Sequence, residues 1–244
     1  MSKQNILKKL YEDIGSPSAY SSANKLLKYA KLLDSNITKQ DVNTFLKSQE
    51  GFTRHGLVPR TFMHRPIKIP SAGHTLGSDL IDMGNRLRDD NRGYRYILVL
   101  IDCFSRKIRL VPLTDKKNKT TASAIEDFLS ETNHKYSYFF SDLGSEYKGR
   151  YTTALFKKYN LKQYSVYNSR TKCSIAERSI RSIKGKIYRH FTQQQTNNYI
   201  DILDDLEKGY NQTQHRGLCN ETPNTVDTML DKAEIEKQRL CQMT

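Results

Sequence analysis

Residues 94–102 read Tyr-Arg-Tyr-Ile-Leu-Val-Leu-Ile-Asp, and this segment decides the fold. Within it, Tyr96 to Ile101 is the longest uninterrupted apolar run of the chain. A short run of this composition is typical of a strand that is buried on both faces. It is far too short to cross a bilayer, which takes about 20 apolar residues. The segment therefore predicts a central strand of a sheet.

Further strand and helix patterns flank this run. Strands are predicted at Leu76–Met83 and Lys107–Pro112, and the turn-forming residues of Asn85–Gly93 favour an antiparallel return. After them come, in order, a helix at Thr120–Glu131, a strand at Tyr136–Ser141, a helix at Thr152–Tyr159, a strand at Lys162–Val166, a helix at Ser174–Phe191 and a helical stretch at Asn197–Asn211. This order predicts an α/β protein with a mixed sheet and flanking helices, and it matches the ribonuclease H-like fold.

The first fifty residues have helical periodicity. Apolar residues recur at helical spacing in three short stretches, the first of which begins at Ile6. Thr38 and Asp41 resemble a capping box at the start of the third helix. We predict a small helical module at residues 1–50. It either places its third helix on DNA, as a helix-turn-helix does, or serves as a packing appendage.

Three segments make up the rest of the chain. Residues 51–75 contain four Lys or Arg residues and no acid, and predict an extended basic linker that can lie along a phosphate backbone. Residues 76–226 are the predicted core. Residues 227–244 form a charged tail, expected from Asp231 onwards to be a free helix or disordered.

Charge indicates the kind of partner. The 244 residues carry a formal net charge of +14, which favours a polyanion and above all nucleic acid. A membrane surface is the competing partner, but the basic residues are spread over several predicted elements rather than one amphipathic helix. The amino terminus also lacks an apolar signal region, so we expect a soluble intracellular protein.

Cysteine and histidine spacing predicts no structural metal site. The four cysteines, Cys103, Cys173, Cys219 and Cys241, contain no C-x-x-C pair, and we expect reduced thiols. The nearest approach to a histidine cluster is His55, His64 and His74, which we interpret as solvated loop residues rather than a zinc site.

Three carboxylates predict the chemistry. Asp79 lies in the first strand, Asp142 directly follows the fourth, and Glu177 lies in the first turns of the long helix. Between Tyr147 and Phe191 there are twelve Lys or Arg residues and a single acid, Glu177. Acids that converge inside a basic surface suit two-metal phosphoryl transfer, because carboxylates supply the hard oxygen ligands of Mg²⁺ and cationic side chains hold the phosphates.

Helical spacing relates Glu177 to two cations. Glu177, Arg181 and Lys184 share one helix face at i, i+4 and i+7, which sets a metal ligand beside phosphate-binding groups. The alternative is that Glu177 and Arg181 form only a surface ion pair, worth about 0.3 kcal/mol.

Two other acids compete with Asp79 for the role of first ligand. Asp82 falls on the opposite face of a regular strand. Asp102 ends the buried strand, where a structural turn or hydrogen-bonding role is the favoured interpretation.

Five segments carry a family resemblance: Gly77–Met83 (GSDLIDM), Tyr96–Arg106 (YILVLIDCFSR), Ser141–Tyr147 (SDLGSEY), Ala176–Arg178 (AER), and Tyr210–Arg216 (YNQTQHR) with Thr222-Pro223 after it. Together they resemble the catalytic core and core end of retroviral-type (DDE) integrases, most closely those of Maverick/Polinton DNA transposons. Such integrases process 3′ ends in a metal-dependent step and then join them to target DNA by strand transfer.

The resemblance implies a role for particular residues. Asp79, Asp142 and Glu177 would be the catalytic ligands of Mg²⁺ or Mn²⁺. Side chains implied in DNA binding are Lys172, Arg178, Arg181, Lys184, Tyr167 and Asn168. The implied partners are double-stranded DNA, from element ends and target, and further copies of the chain in a homo-oligomer that acts in the nucleus.

One departure from the family pattern keeps alternatives open. A Trp commonly precedes the first Asp of that family, whereas Leu76-Gly77-Ser78 precedes Asp79 and the chain has no Trp. No segment resembles the family's His/Cys zinc domain or its carboxy-terminal domains. The alternatives are a ribonuclease H-like nuclease that cuts without joining, and a catalytically inactive or host-adopted copy that only binds DNA.

Overall fold

The computed structural model describes residues 2–55, 69–142, 144–165 and 174–243. Compactness divides the chain into two units. The first comprises Met1–His64 and Ser182–Thr213, and the second Arg65–Arg181 and Gln214–Thr244. The predicted domain ranges 1–50, 51–75, 76–226 and 227–244 stay predictions. Within the described ranges, no helix combines the length and apolarity needed to cross a membrane.

A five-stranded mixed sheet lies in the second unit. The strands are β1 (Thr75–Asp82), β2 (Tyr96–Asp102), β3 (Ile108–Leu113), β4 (Tyr138–Ser141) and β5 (Lys162–Ser165). Their spatial order is β3-β2-β1-β4-β5. The first three strands pair antiparallel, whereas β4 lies parallel to both β1 and β5. The predicted α/β class with a mixed sheet is confirmed.

Strand β2 occupies an interior position because its side chains are apolar on both faces. All seven of its residues are buried. Leu98 and Leu100 pack in one cluster with side chains of α5 (Asn118–Glu131) and α6 (Arg150–Lys158). Burial of each such aliphatic side chain stabilises the fold by about 2 kcal/mol.

The carboxy-terminal segment packs on the second unit, so the expectation of a free helix or disorder after Asp231 is wrong. Helix α10 (Lys232–Met243) places Gln238 and Gln242 against the unit, where their side-chain amides donate to the carbonyl oxygens of Leu218 and Phe104, each at 3.0 Å. Ile235 packs on the apolar cluster that holds Phe104. The periodicity of so charged a helix did not reveal these contacts.

The expectation of reduced thiols is also wrong for one cysteine pair. Cys219 and Cys241 form a disulfide with a Cα–Cα distance of 5.9 Å. Cys241 lies on α10, and Cys219 follows the short 3₁₀ turn Arg216–Leu218. The pairing depends on the packing of α10, because 22 residues separate the cysteines in sequence. Cys103 is a buried free thiol, and Cys173 lies outside the described residues.

The first unit is helical. Its helices include α1 (Lys3–Glu12), α2 (Ala23–Leu33), α3 (Lys39–Ser48), α4 (Glu50–Arg54), α8 (Leu203–Asn211) and the later part of α7 (Ser174–Gln194), whose first residues belong to the second unit. The ring of Tyr11 contacts those of Tyr20 and Phe45, with centroids 5.1 and 5.7 Å apart. The predicted capping box of Thr38 and Asp41 is confirmed at the start of α3.

Helix α4 replaces the first residues of the predicted extended linker. Its backbone lies close to α7: a Cβ at Gly51 would be 3.0 Å from the carbonyl oxygen of Arg189. Next to it, the His55 ring stacks on Tyr188 at 6.1 Å. The sequence expectation missed these contacts because the partners are more than a hundred residues away along the chain.

The short helix α9 (Pro223–Asp227) completes the second unit. Thr222 caps it by accepting from the Thr225 amide. Val226 is buried in the same apolar cluster as Phe104.

Candidate functional site

The register of two parallel strands brings Asp79 and Asp142 together. Gly77 of β1 pairs with Phe140 of β4. Asp79 and Asp142 each follow their partner in that pair by two residues. Because neighbouring strands lie about 4.8 Å apart, the two aspartates lie next to each other just beyond the last paired residues of β1 and β4.

Alternation along β1 directs Asp79 away from the α5/α6 cluster. On one side of the strand, Ser78 is buried and its hydroxyl lies 2.9 Å from the hydroxyl of Tyr147. On the other side, Asp79 pairs with Val99 of β2 and is half-buried. Its Oδ1 accepts a hydrogen bond from the Leu80 amide at 2.8 Å.

A tight turn after β4 holds Asp142. Its Oδ1 accepts from the Gly144 amide at 3.0 Å, while the side chain stays exposed. A Cβ at position 144 would lie 2.5 Å from the carboxyl carbon of Glu146, so replacing this glycine would push the flexible Glu146 side chain aside. The turn is fixed from α5, where the side-chain amide of Asn118 donates to the Glu146 carbonyl oxygen at 2.9 Å.

Glu177 lies in the first turn of α7 and is half-buried. Its neighbour Ala176 is fully buried, and the Ser179 hydroxyl donates to the Ile175 carbonyl oxygen at 3.0 Å. Glu177 belongs to the same compact unit as Asp79 and Asp142.

Burial and the neighbouring acids act together on the pKa of Asp79. Burial raises the pKa of Asp79 to about 6, the Leu80 amide opposes that rise, and the carboxylates of Asp142, Glu177 and Glu146 add to it. Four acids therefore share one electrostatic environment. The sequence analysis did not assign Glu146, although its position four residues after Asp142 in SDLGSEY could have suggested it.

The donor set fits a divalent cation. Carboxylate oxygens are hard ligands, and negative charges brought close together are stabilised by a cation between them. In the described part of the chain, no three His, Cys, Asp or Glu side chains already stand in a metal-holding arrangement.

The residues predicted to bind DNA divide into three groups by where they lie. Arg178 and Arg181 are exposed and belong to the unit that holds the acids. Lys184 is half-buried and belongs to the first unit. Lys172, Tyr167 and Asn168 lie outside the described residues. Their DNA-binding roles stay predictions.

The two rival aspartates have structural partners. Asp82 is exposed and forms a two-pronged ion pair with Arg95, at 2.7 and 2.9 Å. Asp102 is buried and accepts hydrogen bonds from the amides of Gly73, Phe104 and Ser105, at 2.7, 2.9 and 2.7 Å. The structural role favoured for Asp102 agrees with these bonds.

Two of the three histidines lie in the described part of the chain. His55 belongs to the first unit and His74 to the second, where its Nδ1 lies 2.8 Å from the Thr75 hydroxyl. Both are half-buried rather than fully solvated as expected, and His64 lies outside the described residues.

Comparisons with known proteins give a sequence relative and several structural neighbours. An uncharacterized transposon-derived protein of Caenorhabditis elegans is 31% identical over 161 residues, which cover 62% of this chain and 56% of that protein. The chain thus matches little more than half the length of this relative. No protein-family model matches the chain.

One structural neighbour illustrates the shared fold. It is a chain in the cryo-EM structure of the simian T-cell lymphotropic virus intasome in complex with PP2A regulatory subunit B56 gamma. The TM-score is 0.59 at 16% sequence identity, and the similarity covers 86% of this chain and 75% of that one.

Proposed function

We propose that this chain is the integrase of a mobile DNA element, with a ribonuclease H-like catalytic core, closest to the Maverick/Polinton type. The register that sets Asp79 beside Asp142, in one unit with Glu177, carries the proposal. The transposon-derived relative and the intasome neighbour support an integrase-like origin. The net charge of +14 suits DNA as the substrate.

In this proposal Asp79, Asp142 and Glu177 hold two Mg²⁺ or Mn²⁺ ions. Bound there, the ions would stabilise the attacking and leaving oxygens of an in-line displacement at phosphorus. The protein orients the ligands: the Leu80 amide holds Asp79 and the Gly144 amide holds Asp142. In end processing a water oxygen bonds to phosphorus and the 3′ oxygen leaves. In strand transfer the freed 3′ hydroxyl attacks, and one target phosphodiester breaks as another forms.

The test is strand transfer of a labelled, 3′-recessed element-end duplex into plasmid, with Mg²⁺, Mn²⁺ or EDTA. We expect joined product with either metal, none in EDTA, and none with Asp142→Asn. Cleavage of the duplex without joining would favour the nuclease alternative. DNA binding without any reaction, with true element ends supplied, would favour the inactive DNA-binding alternative.

Glu177→Gln is expected to separate catalysis from binding. Joining should fall at least about 1000-fold, because metal-held charge stabilisation is worth several kcal/mol and each 1.4 kcal/mol is tenfold in rate. DNA affinity in EDTA should be unchanged or tighter, since one negative charge is removed near phosphate. Joining and fluorescence-anisotropy binding are measured on the same preparation.

Glu131→Gln is the matched control for Glu177→Gln. Glu131 is an exposed acid of the same unit, at the end of α5, where it pairs with Arg109 at 3.4 Å. The Glu131→Gln protein should join DNA at the wild-type rate. A folded Glu177→Gln protein that loses binding and joining in equal proportion would contradict a ligand role for Glu177.

A further inference from the structure

An enclosed lysine amine in the first unit has no partner. The Nζ of Lys186, on α7, is shielded from solvent and makes no hydrogen bond to any residue that the structure describes. The residue as a whole is only half-buried. Lysine ordinarily buries its aliphatic stem and exposes its ammonium group. Lys186 has the reverse arrangement.

Two further cations act on this amine electrostatically. Burial, then Lys25 of α2, then Arg189 one turn along α7 lower the pKa of Lys186 to about 7. Burial also lowers the pKa of Lys25. Arg189 donates from its two terminal nitrogens to the carbonyl oxygens of Tyr20, at 2.7 Å, and His55, at 3.4 Å, while its Nε has no partner in the described ranges.

An acid of α1, Glu12, acts on this region but forms no salt bridge with the three cations among the described residues. Glu12 accepts a hydrogen bond from Gln193 at 2.8 Å and raises the pKa of Tyr11 and Tyr20. Across the described residues, neither Lys186 nor Arg189 forms a salt bridge. Positive groups gathered away from water without a counter-charge destabilise a fold, and such an arrangement points to a functional site.

We propose that Lys25, Lys186 and Arg189 form a binding site for one phosphodiester group of duplex DNA. The unused donor, the Lys186 amine, matches the acceptor oxygens of a phosphate, while Lys25 and Arg189 add positive charge beside it. The flexible four-carbon stem of Lys186 lets its amine turn outward to that phosphate. DNA is the occupant because the chain's charge of +14 favours a polyanion, and in this respect the inference rests on the proposed function.

Lys186→Met tests the site because it removes the charge and keeps the stem. The variant should melt at a higher temperature than the wild type and yet bind duplex DNA about eight-fold more weakly at 0.1 M NaCl. The slope of log Kd against log [NaCl] should become shallower by about 0.9, the value for one phosphate contact. Binding is measured in EDTA by fluorescence anisotropy, so that catalysis plays no part.

Lys31→Met is the matched control. Lys31 lies on α2 six residues after Lys25 and is exposed, so the same change of charge should leave the melting temperature and the salt slope close to those of the wild type. Lys25→Met provides a second variant of the site, expected to lower the slope as Lys186→Met does.

The outcomes separate this inference from the proposed function. A stabilised Lys186→Met protein that binds DNA with wild-type affinity and wild-type salt slope overturns the inference. If Lys186→Met fails to fold, a wild-type salt slope in Lys25→Met overturns it instead. Inorganic phosphate that stabilises the wild type but not Lys186→Met, with the DNA slope unchanged, overturns the DNA assignment in favour of a free anion. Wild-type protein that does not bind duplex DNA overturns the proposed function itself.

Discussion

Replacing Asp79 by Asn is expected to give a protein that no longer joins DNA yet is more stable than the wild type in EDTA. Asn keeps the size of the side chain but is a poor metal ligand, so joining should fall at least about 1000-fold. Stability should rise because the wild-type carboxylate is partly desolvated and interacts with Asp142, Glu177 and Glu146. Function and stability would then oppose each other at one residue.

The pH dependence follows from the raised pKa of Asp79. The pKa of about 6 in the folded protein lies above the ordinary aspartate value of 3.8, so the folded state binds the proton more tightly. Wild-type stability should therefore fall as pH rises through this interval, by about 3 kcal/mol when fully above it. The Asp79→Asn variant has no carboxyl group here and lacks this decline. Its free energy of unfolding should therefore exceed that of the wild type at pH 8, and the difference should vanish near pH 3.5.

Urea denaturation in EDTA at both pH values measures this difference. Asp142→Asn is the control, because Asp142 is exposed and its replacement should abolish joining with a smaller gain in stability. Asp79→Asn protein that is less stable than the wild type at pH 8 would contradict the electrostatic account, and one that still joins DNA would remove Asp79 from the site.

Asp102→Ala is expected to cause the largest loss of stability. Its carboxylate accepts from three backbone amides, and truncation leaves the Gly73, Phe104 and Ser105 donors without their acceptor in a buried place. Each unsatisfied buried donor costs about 1–3 kcal/mol, so the free energy of unfolding should drop by about 4 kcal/mol or more. Urea denaturation of the soluble variant measures this change.

Asp82→Ala gives the contrast. Asp82 also lies at the end of a strand, but it pairs with Arg95 at the surface, where an ion pair is worth about 1 kcal/mol or less. Similar losses for the two variants would mean that the three amides around Asp102 find other acceptors, and that its buried bonds are not what stabilises this corner of the sheet.

Local sequence pattern determined most of the regular structure. The apolar run Tyr96–Ile101 is enough to predict a strand buried on both faces, and the turn-forming residues of Asn85–Gly93 favour its antiparallel pairing with the strand before it. Thr38 and Asp41 predict the start of a helix because both hydrogen bonds of the capping box form within four residues. The aspartates at 79 and 142 were recognisable because each stands out against an apolar strand or a glycine turn.

The features that local pattern did not reveal depend on residues far apart in the chain. The adjacency of Asp79 and Asp142 follows from the β1–β4 register, and the share of Glu146 in that site follows from a turn held by Asn118. The Cys219–Cys241 bond, the packing of α10 and the enclosure of Lys186 arise in the same way. Sequence periodicity shows which side of a helix or strand is apolar. It therefore predicted the elements, and the acids that interrupt the pattern became the candidates. Which charged groups share a buried environment was set by tertiary packing, because burial and electrostatic coupling depend on distance in space.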